Sequence, residues 1–176
     1  MKTLFMLIWL FPIIFMIHDF EEIIMLKAWQ QKNKSYIQGI KNKHIQFNFE
    51  ASTESFSLAV AEEFIIISIV TIISYLFDIY IFWDGLFIAF TIHLFVHVFQ
   101  WLIFKKYIPS LITSIIFIPV CCLVIYKINV LLNYNIMSLL FSIVVSTLIM
   151  VANIYILHKT MKKFDSCLEK YIGNSL

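Results

Sequence analysis

Five apolar runs, each of about 20 residues, dominate this chain of 176 residues and leave it few ways to fold. They extend roughly over Leu4–Leu26, Phe56–Phe77, Tyr80–Phe104, Ile108–Tyr126 and Ile136–Leu157. Crossing a bilayer core as helix takes about 20 residues, and in lipid every backbone polar group must be satisfied inside a helix or a closed barrel. The runs lack the period-two alternation of a membrane barrel, and glycine and proline are scarce at three each. The expected fold is therefore all-α: a polytopic membrane bundle of about five transmembrane helices, one domain over residues 1–176, multi-pass in the cell membrane. Composition agrees, since 14% of residues are charged against about 25% in an average soluble domain.

The same composition excludes other classes. All 13 positive residues are lysines and the net charge is +2, so there is no clustered basic face for nucleic acid. Cys121 and Cys122 are adjacent inside an apolar run, and with Cys167 they carry no redox-compartment signal. A signal peptide over the first run would need a small-x-small cleavage site and a polar mature start. Neither is present, because Ile23 to Leu26 follow the charged cluster at residues 18–22. The run reads as a retained first helix.

Lysine placement sets the expected orientation. Lys27, Lys32, Lys34, Lys41 and Lys43 precede the second helix, Lys105 and Lys106 follow the third, and Lys159, Lys162, Lys163 and Lys170 follow the fifth. Only Lys2 and Lys127 fall on the opposite side. The positive-inside rule then predicts an external N-terminus and a cytoplasmic C-terminus. Acidic Asp78 and Asp84 between helices two and three fit an external loop. The polar stretch from Lys27 to Ser55 is long enough to include an amphipathic piece on the membrane surface.

Ionisable residues interrupt three of the runs. His18, Glu21 and Glu22 stand at i, i+3 and i+4 on the first helix and share a face, while Asp19 is expected to point elsewhere. The second helix has Glu62 and Glu63, which would be merely interfacial if that helix began at Phe64. The third has His93 and His97 at i, i+4, with Gln100 a turn further on. At a rise of about 1.5 Å per residue, all lie about 8 to 18 Å from the lysine-rich boundary. Three helices thus converge on one layer in the inner half of the bilayer.

A charge at the centre of a spanning helix costs about 2.5 to 3.5 kcal/mol on insertion scales. The chain has no arginine, and no lysine lies at this depth. Protons, the histidines or a bound metal remain to neutralise the carboxylates. His18, Glu21, Glu22, Glu62, Glu63, His93 and His97 form a donor set suited to zinc, iron or manganese. One ion with a glutamate as general base, or two ions bridged by carboxylates, is compatible with the spacing. Glu22 and Glu63 are the candidate catalytic carboxylates. Among lesser features, Asn153 lies at similar depth on helix five, Pro12 and Pro119 read as kinks, and Trp9, Trp83 and Trp101 read as belt anchors at helix ends.

Four segments, HDFEE at 18–22, AVAEE at 59–63, HLFVH at 93–97 and KKYIPSLITS at 105–114, resemble in order and spacing the HXXEE domain family of small bacterial integral membrane proteins. The resemblance runs from residue 10 to about residue 125. It implies that His18, Glu21 and Glu22 match the naming motif, Glu62 and Glu63 the second, and His93 and His97 the third. Tyr107, Pro109 and Thr113 fit the fourth, in which Ser110 stands where glycine is usual. Function in that family is uncharacterised, with metal binding or enzymatic activity suspected. The leading expectation is a membrane metalloenzyme that oxidises or hydrolyses a lipidic substrate. A proton or metal conduit and a non-catalytic accessory subunit are the alternatives, and assembly of several copies is compatible with either.

Overall fold

The computed structural model describes residues 2–39 and 52–173, and no strand forms among them. Six helices follow in order: α1 (Lys2–Lys32), α2 (Lys34–Gly39), α3 (Thr53–Phe77), α4 (Ile81–Phe104), α5 (Leu111–Leu132) and α6 (Ile136–Gly173). All but the short α2 are long and apolar enough to span a membrane. The expected five-helix bundle is therefore present. Lys41 and Lys43 lie outside the described residues, as does the rest of 40–51 in the polar stretch from Lys27 to Ser55. Of that stretch, α1 takes the part up to Lys32 and α2 the part from Lys34 to Gly39.

Helix boundaries differ from the apolar runs where local chemistry overrides hydropathy. α1 continues past Lys27 because nothing between Leu26 and Lys32 breaks a helix, and Trp29 anchors that turn by donating its indole N–H to the Tyr107 carbonyl. α3 begins at Thr53, with the Ser52 hydroxyl accepting from the Ser55 N–H at 3.0 Å as its N-cap. Glu62 and Glu63 therefore lie well inside the helix. α5 starts only at Leu111, since Pro109 and a left-handed Ser110 interrupt the run. α6 extends far beyond Leu157, and its polar last turns reach back to α3, where Asp165 accepts from the Ser52 N–H at 3.2 Å. Pro12 and Pro119 sit inside continuous helices.

α4 packs against α5 and α6, while α1 packs against α3 and α5 and α3 against α6. α1 and α4 face each other across large side chains. Phe11 meets Trp83 and Phe87 at ring-centroid distances of 5.7 and 5.1 Å, and Phe15 meets Phe90 at 5.8 Å. The outer faces of the helices carry exposed isoleucine, leucine and phenylalanine, such as Ile69, Phe99, Ile116 and Leu148, as a lipid-facing surface requires. Two expectations are corrected. Trp83 is fully buried, stacked on Phe87 and donating to Thr71 Oγ1 at 3.2 Å, so it is a core residue and no belt anchor. Asp84 lies inside the first turn of α4, buried and accepting from Asn129 Nδ2 at 2.8 Å, rather than in an external loop.

The α4–α6 seam depends on one glycine. A Cβ placed on Gly85 would meet Ser142 Oγ at 2.4 Å, Ser146 Oγ at 2.7 Å and the Ser142 carbonyl at 2.9 Å. Small residues on both sides let the backbones approach, and the Ser142 hydroxyl donates across to the Ile81 carbonyl at 2.7 Å. Gly85→Ala is expected to destabilise the bundle by about 1 to 3 kcal/mol through overpacking. A lowered thermal midpoint in detergent, followed by the fluorescence of neighbouring Trp83, checks this.

Candidate metal centre

The α1–α4 seam changes character along its length. On α1 the stripe Phe11, Phe15, His18, Glu22 advances by four, three and four residues and so keeps one face. On α4, Trp83, Phe87 and Phe90 occupy the corresponding face before His93 and His97. The seam is thus aromatic at one end and ionisable at the other. The His18 ring lies 5.7 Å from the His93 ring and 5.2 Å from the His97 ring.

Four groups come together there. One ligand atom each from His18, Glu22, His93 and His97 lies within 4.8 Å of all the others. His93 Nε2 and His97 Nε2 are 2.9 Å apart, a hydrogen bond in which one ring donates and the other accepts. Glu22 Oε2 is 4.0 Å from His97 Nε2 and accepts from the Ser110 hydroxyl at 3.2 Å. Gln100, a turn beyond His97, lines the cavity around these groups. Among the described residues, no lysine lines that cavity.

The tautomer of His18 follows from its neighbours. Thr113 Oγ1 gives its proton to Glu21 Oε2 at 2.7 Å, so it can only accept from His18 Nδ1 at 3.1 Å. Nδ1 therefore carries the ring proton and Nε2 presents a lone pair. Among the described residues that buried Nε2 has no hydrogen-bond partner, the state in which a metal-ligating imidazole is held by the groups behind it. Three imidazole nitrogens and one carboxylate oxygen are a donor set for zinc or iron. The residues present fit a divalent ion.

Glu21 does other work. Its carboxylate accepts from the Thr113 N–H at 2.8 Å, the Ile112 N–H at 3.3 Å and the Tyr107 hydroxyl at 2.7 Å as well as from Thr113 Oγ1. It sits at the N-terminus of α5, where unpaired N–H groups and the helix dipole favour an anion. Burial, and then the bond to Glu21, push the Tyr107 phenol above its ordinary range, so it stays a donor. Ser110, at φ 66, occupies the left-handed region that glycine takes most readily. Serine at this position adds the hydroxyl that holds Glu22.

The other expected ligands stand outside the four-residue group. Glu62 accepts from Asn153 Nδ2 at 3.1 Å, an interhelical bond to α6. Glu63 faces the same cavity as Glu22, His93 and His97, which has a volume of about 260 Å³. Asp19 corrects the expectation that it points elsewhere: it is buried, lines this cavity and has no partner for Oδ2 among the described residues. A second stripe, Phe15, Asp19, Glu22 and Leu26, carried the signal at spacings of four, three and four.

The fold and site define a class: a helical bundle of membrane-spanning character with a buried histidine–glutamate cluster near one end. Within that class the chain belongs to the family described as "Protein of unknown function with HXXEE motif", whose model matches residues 9–124. The His-x-x-Glu-Glu of that description is His18, Glu21 and Glu22. No curated protein and no solved structure gives a significant match.

Replacing Thr113 tests the tautomer directly. In Thr113→Val, His18 loses its acceptor, and ¹⁵N spectra of the histidine rings are expected to change from a single Nδ1–H form to a mixture. Divalent-metal affinity is expected to fall about 10- to 100-fold, with Thr113→Ser close to the unmodified protein in both readouts.

Proposed function

We propose that this protein is a metal-dependent membrane enzyme acting on a lipidic substrate by hydrolysis or oxidation. The observation that carries this reading is the partnerless His18 Nε2, directed by Thr113 and Glu21, beside His93, His97 and Glu22. When bound, a zinc, iron or manganese ion supplies Lewis acidity and lowers the pKa of its water. His18, His93 and His97 hold the ion, with Glu22 as the carboxylate ligand. Glu63, across the same cavity, would take a proton from the reacting group, and Gln100 adds a polar group to the cavity wall. Glu21 orients α5 and the His18 ring, and Glu62 ties α3 to α6.

The lysine bias assigns the site end to the cytoplasmic side of the cell membrane. Trp29 of α1, Phe56 of α3, Gln100 of α4, Ile108 before α5 and Met161 of α6 all meet at that end. Lys27, Lys32, Lys105, Lys106 and Lys159 flank those same helix ends. Exposed Cys167 near the end of α6 reports on the assignment. A membrane-impermeant maleimide is expected to modify it in inverted vesicles and leave it unmodified in right-side-out ones; the opposite pattern reverses the orientation.

Elemental analysis of protein purified without chelators tests the metal reading. One zinc, iron or manganese per chain is expected, lost in His18→Ala and His97→Ala and kept in Glu62→Gln. Zinc points to hydrolysis and iron to oxidation. Absence of stoichiometric metal, with no uptake on reconstitution, overturns the reading. Metal-dependent flux in proteoliposomes would make the protein a conduit instead.

A further inference from the structure

A second cavity, of about 340 Å³, meets the first at Asp19, Glu63, His93 and Ile154. Its walls are otherwise almost wholly apolar, with Phe11, Phe15, Ile67 and Phe90 at its back. At its front lie Ile66 of α3 and Ile149 and Ile156 of α6, which are 40%, 57% and 59% exposed. In a bilayer these residues face acyl chains, so the cavity is a crevice open sideways to lipid between α3 and α6. At roughly 30 Å³ per water-sized group, it takes a single chain of about eleven methylenes.

The inner end of the crevice is what sets it apart from an ordinary lipid-facing groove. Two carboxyl side chains, Asp19 and Glu63, close it, and buried Asp19 Oδ2 has no partner among the described residues. Hydrocarbon against an unpaired carboxyl oxygen is unfavourable by the desolvation cost of that group. An occupant with a hydrogen-bonding head on its chain satisfies both ends. The head is not a phosphate or sulfate. Among the described residues no lysine lines either cavity, the chain has no arginine, and the groups that face the head are the carboxyls of Asp19, Glu22 and Glu63 beside His93, with His158 farther along the first cavity.

We infer that the substrate is a single-chain amphiphile with a hydroxyl or other uncharged polar head, its chain in the α3–α6 crevice and its head at Asp19 and Glu63. This rests on the metal-enzyme reading and names the substrate class for that site. Entry is lateral, from the leaflet, and the head arrives beside His93, where the crevice and the metal cavity join.

Photo-crosslinking in nanodiscs tests the inference, with a straight-chain primary alcohol of about eleven carbons bearing a terminal diazirine. Adducts are expected on α3 and α6 at the crevice, well above those at lipid-facing Ile116 on α5. Ala152→Trp, at an exposed position lining the crevice, is expected to reduce them to the Ile116 level while metal content stays that of the unmodified protein. A phosphate-headed analogue is expected to give only that background. Labelling that is no stronger than at Ile116, or unchanged by Ala152→Trp, overturns the crevice. Equal labelling by the phosphate analogue overturns the head assignment. Metal content measured on the same samples separates the two readings. Crevice labelling without metal leaves the amphiphile-binding crevice standing but overturns the metalloenzyme and with it the assignment of the amphiphile as substrate, and metal without labelling overturns the crevice alone.

Discussion

Adjacent carboxylates on one helix, with no arginine anywhere in the chain, set the problem that the rest of this structure answers. Glu21 and Glu22 would each be costly in an apolar bundle. They meet different partners because they leave α1 in different directions. Glu21 reaches the start of α5, where main-chain N–H groups, Thr113 and Tyr107 supply four hydrogen bonds without any full positive charge. Glu22 turns toward α4 and has one hydroxyl, from Ser110, and the imidazoles. One carboxylate is satisfied by structure and the other is left available.

The start of α5 therefore serves two purposes. Its free N–H groups neutralise Glu21, and that bond engages the Thr113 proton, which decides how His18 is protonated. The left-handed Ser110 is part of the same arrangement. A residue at φ 66 costs about 1 to 2 kcal/mol where it is not glycine, and here the side chain that causes the strain also holds Glu22. Pairing at the opposite end of the bundle supports the geometry. Gly85 lets α6 close on α4, and the aromatic half of the α1–α4 seam sets the spacing at which the imidazoles meet.

Much of this was legible along the chain. Run length and the lack of period-two alternation indicated five spanning helices, and i, i+4 spacing put His93 with His97 and His18 with Glu22. Asp19 was misplaced because a single face was drawn through His18, Glu21 and Glu22. α1 is packed on more than one side, so its inward surface is wider than one stripe, and Phe15, Asp19, Glu22 and Leu26 define the second. Trp83 was misread because proximity to a helix end resembles a membrane interface, whereas Thr71 provides an interior acceptor for its indole. The late start of α5 was signalled by Pro109, and the left-handed turn at Ser110 only by the glycine usual at that position in the family the chain resembles.

By itself the sequence determined the helices, their number and the depth at which histidine and glutamate occur, since rise per residue and hydropathy are properties of a single segment. It also determined that neither arginine nor lysine lies at that depth, which composition and the positions of the lysines together state. Tertiary structure decided which carboxylate joins the histidines and which caps a helix, which nitrogen of His18 is turned toward them, and that Asp19 faces inward. Helical periodicity gives a side chain's direction about its own axis. Only packing decides which neighbour lies in that direction, and for Glu21 that neighbour is a helix N-terminus about 90 residues away in the chain.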